Sequence, residues 1–372
     1  MSVGPGPLFH PFSIKSLELR NRVVMAPMTR WKSPGGVPGA DVAAYYRRRA
    51  ENDCGLITTE GTTIDHPVSS YSYRTPNFFG REALQGWRRV VQEVHEAGGR
   101  IVPQLWHVGA MRHPSQDYPN RHLPSASPSG LFATNKPPSS EPMSKTAIRQ
   151  VVAAFAKGAA DARELGFDGV EIHGAHGYLI DQFLWPELNR RNDEYGGDIE
   201  GRTRFAVELL EAVRREVGQD FPLIFRVSQW KQQDYEARLA RTPEELEAFL
   251  GILAEAGVDI FHCSQRRFWE PEFEGSPLNL AGWAKKLTGK STITVGSVGL
   301  TKELQTGSME NLAEGVESQK LDGLLQRLER GEFDLVAVGR GILADPAWAR
   351  KVREDRIDEL RPFGGDVLET LT

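Results

Sequence analysis

Apolar residues in this chain gather into eight short continuous runs instead of alternating with polar ones. The runs are Arg22–Met28, Cys54–Gly61, Arg100–His107, Gly169–His173, Leu223–Ser228, Asp259–Ser264, Ser291–Gly296 and Asp334–Gly339. A strand covered on both faces has no solvent side to mark with polar residues, so unbroken runs predict strands of a parallel sheet. Helical patterns separate most of them. In Glu200–Val217, Phe205, Leu209, Ala212 and Val213 share one face, with arginines and glutamates opposite. Pro243–Ala256 and Thr146–Leu165 read the same way. Eight strand–helix repeats predict an α/β chain forming one (β/α)8 TIM barrel over residues 1–372. The main rival is a doubly wound sheet; the count of eight, with no composition break marking a second domain, favours the barrel.

Two connections are too long for simple loops. Arg112–Lys145, after the third strand, holds seven prolines and seven serines and cannot be one helix. It reads as an excursion over the barrel mouth. Leu300–Gly331, after the seventh strand, reads as a polar loop and then a helix near Leu321–Arg330. Before the first strand, Phe9–Arg20 reads as a small hairpin that plugs the barrel bottom.

Composition narrows the function classes. A barrel with insertions reaches 372 residues, and 40% apolar with 26% charged residues is ordinary for a globular protein. A net charge of −5 gives no reason to expect nucleic acid or an anionic membrane surface as partner. Cys54 and Cys263 form no disulfide framework and no C-x-x-C pattern, and are expected as small buried hydrophobes. The first residues lack a basic stretch followed by an apolar run, and no 18-residue apolar segment occurs. A cytoplasmic location is therefore the expectation.

In this fold the reactive residues lie at the carboxyl ends of the strands. Thr29 and Arg30 follow the first strand. Glu60 and Gly61 end the second, and Gln104, Trp106 and His107 the third. His173, His176 and Tyr178 end the fourth. Arg226 ends the fifth, with Trp230 and Lys231 just beyond. Gly296 and Ser297 end the seventh, and Gly339 and Arg340 the eighth. Loops after the last two strands form the common phosphate site of such barrels, and Gly-Ser with Gly-Arg-Gly supplies close backbone N–H groups and one fixed cation. The bland alternative is that these glycines only make tight turns. Gly339–Ala344 also matches G-x-G-x-x-A, but too little chain follows to complete a dinucleotide fold.

His173-Gly-Ala-His176 allows three readings: half of a metal site, two donors aimed at one oxygen, or two satisfied buried histidines. Tyr178, two residues on, is a phenol that carries a transferable proton at neutral pH. Arg226 at an inward strand end is a costly buried charge that calls for an anionic ligand, or else for a salt bridge to Glu171 or Glu60. These residues leave open a metal-dependent barrel hydrolase and a non-catalytic phosphate-binding barrel.

The stretches Leu8–Arg30 (LFHPFSIKSLELRNRVVMAPMTR), Ile57–Gly61 (ITTEG), Pro103–Trp106 (PQLW), His173–Arg204 (HGAHGYLIDQFLWPELNRRNDEYGGDIEGRTR) and Val338–Trp348 (VGRGILADPAW) resemble the old yellow enzyme family of FMN-dependent ene-reductases. The resemblance runs over nearly the whole chain. It implies that Pro27, Met28 and Thr29 lie along one edge of the flavin and that Gly61 and Gln104 contact its pyrimidine side. It places Arg226 by N1 and the C2 oxygen, stabilising the anionic reduced flavin. Gly296, Ser297, Gly339 and Arg340 would hold the FMN phosphate. His173 and His176 would grip the substrate's carbonyl or nitro oxygen beside Trp106, and Tyr178 would deliver the proton. The implied reaction is ping-pong: NADH or NADPH gives hydride to the flavin, which passes it to an α,β-unsaturated small molecule. Homo-oligomers are known among similar proteins. The second residue of the histidine pair is asparagine in many members, and a cysteine stands at the position of Thr29 in some, so thiol tuning is not expected here. Larger relatives add an iron–sulfur cluster and a second nucleotide domain; with two cysteines and an end at Thr372, neither is expected here.

Overall fold

The structure, a computed structural model, describes residues 6–113, 117–300 and 318–372. It opens with a hairpin of β1 (Phe12–Ile14) and β2 (Leu17–Leu19), paired antiparallel across a turn in which Lys15 has φ 51°. Eight strands follow: β3 (Val23–Met25), β4 (Leu56–Thr63), β5 (Arg100–Trp106), β6 (Val170–His173), β7 (Leu223–Ser228), β8 (Ile260–Ser264), β9 (Ser291–Val295) and β10 (Leu335–Val338). Each pairs in parallel with its neighbours, and β10 closes on β3 to complete a barrel. All eight expected strands are therefore present. The first is shorter than its apolar run: Ala26 N–H still reaches Val338 O, but Pro27 has no N–H to continue the ladder.

The helices are α1 (Ala40–Glu51), α2 (Arg81–Glu96), α3 (Lys145–Leu165), α4 (Leu179–Leu184), α5 (Ile199–Val217), α6 (Pro243–Glu255), α7 (Leu280–Thr288), α8 (Ser318–Glu329), α9 (Arg340–Ala344) and α10 (Trp348–Arg353). Their ends follow local chemistry. Ser144, Asp198, Thr242 and Asn279 each accept a backbone N–H at the start of α3, α5, α6 and α7. Gly166 and Gly289 stop α3 and α7 in the left-handed conformation. Helix α8 meets the expected helix near Leu321–Arg330. The polar loop expected before it lies mostly outside the described residues.

Inside the barrel, the inward residues change character along the strands. At the amino ends Leu56, Val102, Ile224, Ile260, Ile293 and Leu335 form an apolar layer, and the hairpin seals it with Leu17 and Leu19. Each such leucine contributes roughly 1.5–3 kcal/mol by leaving water. Two residues further along come Gln104, Arg226 and His262, and two further again Trp106, Ser228 and Ser264. Because side chains alternate faces, this step of two keeps each strand's polar residues on the inner side. The barrel is thus a hydrophobic plug at one end and a polar basin at the other.

The excursion after β5 lies at that polar end. Leu131 packs on Trp185, Leu188 and Ala237 from the segments following β6 and β7, while Arg191 donates to Pro128 O and Met143 O.

Candidate active site

The polar basin begins with a bulge. The β4–β5 register shifts between Thr58 and Gly61, where Thr59 Oγ1 accepts from Gln104 N–H at 3.1 Å. Past it, Glu60 accepts from the backbone N–H of Arg30 (2.8 Å) and Trp31 (3.2 Å). The carboxylate thereby fixes the turn that carries Thr29. Burial pushes the Glu60 carboxyl up to about 7 against the pull of those two N–H groups. Gly61 is needed beside it: a Cβ there would lie 2.7 Å from the Trp106 ring and 3.4 Å from Gln104 Oε1.

Across the floor, Gln104 Nε2 donates to Glu171 Oε1 at 2.6 Å, and His262 Nδ1 lies 2.7 Å from Glu171 Oε2. Burial raises the Glu171 carboxyl, but His262, Arg226 and Gln104 together outweigh it and hold it below its usual range. No ion pair closes between Glu171 and Arg226 among the described residues, although the carboxylate's charge acts on the guanidinium through space. Arg226, beside His173 and His262 in register, keeps its Nε buried with no hydrogen-bond partner among the described residues.

The fourth strand delivers the densest cluster. His173 and His176 meet edge to face, 5.1 Å between ring centres, and Tyr178 meets His173 at 5.1 Å. Trp106 stands edge-on to Tyr178 at 4.8 Å. Burial first, and the nearby Arg226 charge second, hold both imidazoles well below their usual pKa, so both are neutral. His173 Nδ1 accepts from Ala175 N–H at 3.3 Å, which leaves the ring proton on Nε2 as a donor. His176 Nε2 lies 2.8 Å from Ser264 Oγ, and when that hydroxyl donates, Nδ1 carries the proton. Among the described residues no group of three His, Cys, Asp or Glu side chains is placed to hold a metal ion.

The turn bearing these groups is strained and is held from outside. His176 and Gly177 both have positive φ, 65° and 80°. The segment after β7 supplies the clamp. Trp230 stacks on His176 at 4.5 Å. Lys231 Nζ donates to Asp181 Oδ1 at 2.7 Å, and Asp181 Oδ2 accepts Gly177 N–H at 2.7 Å. Gln232 Nε2 donates to Tyr178 Oη at 2.8 Å, and Gln233 Nε2 to Gly177 O at 3.0 Å. The Lys231–Asp181 pair is fully buried. Breaking such a pair leaves an uncompensated charge, so Lys231→Met is expected to cost about 3–5 kcal/mol of stability. Thermal unfolding of the variant checks this; an unchanged Tm contradicts it.

At the opposite rim the turns after β9 and β10 meet. Gly296 has φ 153° and Ser297 φ 49°, and Arg340 Nη2 donates to Ser297 Oγ at 3.3 Å. A Cβ on Gly339 would lie 3.6 Å from Met28 Sδ, so the first and last strand ends share this corner. Thus Met28, Gly296, Ser297, Gly339 and Arg340 gather at one rim, Gly61, Gln104 and Arg226 on the floor, and Trp106, His173, His176 and Tyr178 at the other. Pro27 leads into the turn of Thr29.

Tyr71, Asp181, Gln232 and Ser264 complete the constellation without having been singled out in the sequence. Ser264 ends an inward strand and was within reach of the strand-end rule. Tyr71 and Gln232 sit in irregular segments that carry no periodic signal.

Fold and site together define a (β/α)8-barrel protein whose polar centre lies at the carboxyl ends of its strands. The chain belongs to the NADH:flavin oxidoreductase / NADH oxidase family, the old yellow enzyme family: the family profile matches residues 7–359. It is similar to 12-oxophytodienoate reductase 7 of Oryza sativa subsp. japonica, 33% identical over 374 residues, covering 93% of this chain and 88% of that protein. It is also similar to an NADH oxidase of Thermoanaerobacter brockii, 32% identical over 382 residues, covering 98% of this chain and 54% of that one, so the chain spans about half its length. Among solved structures, morphinone reductase in complex with tetrahydroNAD superposes with a TM-score of 0.79 at 28% identity, covering 97% of this chain and 93% of that one.

Proposed function

We propose that this chain is an FMN-dependent ene-reductase, taking hydride from NADPH or NADH and reducing the activated C=C bond of α,β-unsaturated carbonyl or nitro compounds. One observation carries the reading. A buried arginine with an unpartnered Nε, two neutral imidazoles and a buried phenol converge on one basin. Glu171 supports that cation only through space, and an anionic guest would give it a direct partner against its desolvation.

The residues present fit FMN. Gly296, Ser297, Gly339 and Arg340 would take its phosphate. Pro27, Met28, Thr29, Gly61, Gln104 and Arg226 would hold the ring system, with Arg226 answering its negative charge. When bound, the flavin accepts hydride from the nicotinamide and returns it to the substrate, the chemistry no side chain here can supply. The chain's own residues do the rest. His173 and His176 donate to the substrate oxygen and stabilise charge as it develops there. Neutral donors suit this task, because a bound imidazolium would repel Arg226. Trp106 forms a wall that fixes the substrate against Tyr178, and Tyr178 transfers its proton to the carbon next to the activating group.

Arg340→Ala is expected to weaken FMN retention, read as the flavin-to-protein ratio after dialysis; full retention contradicts the phosphate assignment. The two-stage reaction has its own test. If donor and enone use the same site in turn, double-reciprocal plots of rate against NADPH at several enone concentrations run parallel. Intersecting lines mean that both must be bound together, and the ping-pong reading fails.

A further inference from the structure

A general acid is half of a pair, and the phenolate it leaves behind needs stabilising too. Tyr178 is deeply buried, with a relative exposure of 6%. Two other residues bear on its hydroxyl. Gln232, from the segment after β7, donates to it through Nε2 at 2.8 Å. Tyr71, from the segment after β4, is the second: its phenol and that of Tyr178 act on one another electrostatically. Tyr71 packs edge-on against Trp106 at 5.2 Å, and Trp106 stands edge-on to Tyr178 at 4.8 Å, so one indole holds both phenol rings.

We propose that Gln232 and Tyr71 form a second anion-stabilising pocket, aimed not at the substrate but at the phenolate oxygen of Tyr178. This rests on the reading of Tyr178 as the proton donor. In the step, the Tyr178 O–H bond breaks and its proton bonds to the substrate carbon that carries the activating group. The electron pair of that bond stays on Oη, and solvent water later returns a proton to it. The hydride comes from the nicotinamide donor of the same reaction. A phenol oxygen that already accepts a bond from Gln232 keeps its own proton free to point elsewhere, and as the proton leaves, that one oxygen, facing Gln232 and Tyr71, takes on the full charge. Hydrogen bonds to an ionised oxygen are roughly twice as strong as those to a neutral one, so the pair acts mainly on the product side of proton transfer.

The groups facing Tyr178 agree with this division of labour. Burial pushes its phenol up, and the bond from Gln232, then Tyr71 and the Arg226 charge, pull it back. His173 and His176, on the same turn, are neutral and add no charge. Among the described residues Arg226 is the one cation acting on it, and it is already assigned to the cofactor side. Burial first, then Tyr178 and lastly the Glu60 charge oppose the ionisation of Tyr71, which keeps it proton-bearing. Gln232 and Tyr71 are thus positioning residues that act through Tyr178.

The test reads the ionisation of residue 178 directly. Difluorotyrosine placed there titrates at lower pH than tyrosine, and fluorine NMR of the FMN-loaded protein follows that one ring. Gln232→Leu and Tyr71→Phe are each expected to raise its apparent pKa by about one unit, tenfold in the ionisation constant. In the unlabelled variants the enone-dependent step should slow, with its alkaline limb displaced the same way. The two donors lie on different segments, so a folding failure in one variant leaves the other to decide. Unshifted titrations in the variants that fold overturn the proposal. The acid assignment beneath it fails separately: Tyr178→Phe with an unaltered enone step removes that reading, whereas a slowed Tyr178→Phe with unshifted titrations removes only the phenolate pocket.

Discussion

Tyr178→Phe is expected to slow enone reduction by about 10²–10⁴-fold, the usual contribution of a positioned general acid. The substitution removes one oxygen and leaves the ring, so the edge-on contacts with Trp106 and His173 survive. Folding and FMN content should therefore stay near normal, and the reaction of the oxidised protein with NADPH should proceed, because hydride delivery by the nicotinamide needs no proton from residue 178. The loss should appear in the enone half-reaction alone. Burial matters to the size of the effect: a phenol exposed to 6% is screened from bulk water, which cannot easily take its place. Stopped-flow measurement of each half-reaction separates the two. An enone step at full speed shows that water or another group supplies the proton.

The second large effect is expected from His173→Ala combined with His176→Ala. Loss of one preorganised donor to a developing oxyanion costs about 10²–10³-fold, and this change removes both. The two are not expected to multiply in full, since their rings are 5.1 Å apart and serve one oxygen. Ligands that place a phenolate or carbonyl oxygen in the same spot should bind more weakly. The flavin-to-protein ratio should hold, since the cofactor is assigned to Arg226 and to the rim of Ser297 and Arg340. A flavin-free double variant shows instead that the histidines support the fold or the cofactor.

The barrel was legible in the sequence because its strands are covered on both faces, and eight apolar runs fell where the eight strands lie. Boundaries were less legible where polar groups are buried but satisfied. The second run stopped at Gly61, whereas β4 continues to Thr63. Thr62 Oγ1 donates to Gln104 O at 3.1 Å and Thr63 Oγ1 to Pro76 O at 3.4 Å. A buried threonine with a partner reads as a loop residue in one dimension.

The candidate site shows the same division. Residues at strand ends were readable from position alone, including the cluster of His173, His176 and Tyr178 and the corner of Ser297 and Arg340. The residues that orient them were not. Trp230 and Lys231 were noticed without a role, and their contacts with His176 and Asp181 supply one. Gln232 and Tyr71 carry no pattern of their own, because what makes them matter is an oxygen belonging to a residue 54 positions away from Gln232. The partner expected for Arg226 was a choice between an anionic ligand and Glu171. The structure shows Glu171 bonded to Gln104 and His262 and acting on Arg226 without a closed ion pair, a geometry no one-dimensional pattern carries.

The measurement that tests the central claim most directly is a visible absorption spectrum of the purified protein, taken anaerobically before and after NADPH and again after cyclohexenone. The account predicts a flavin band that bleaches with NADPH and returns with the enone. A protein that stays colourless after added FMN, or a flavin band that neither NADPH nor NADH bleaches, contradicts it.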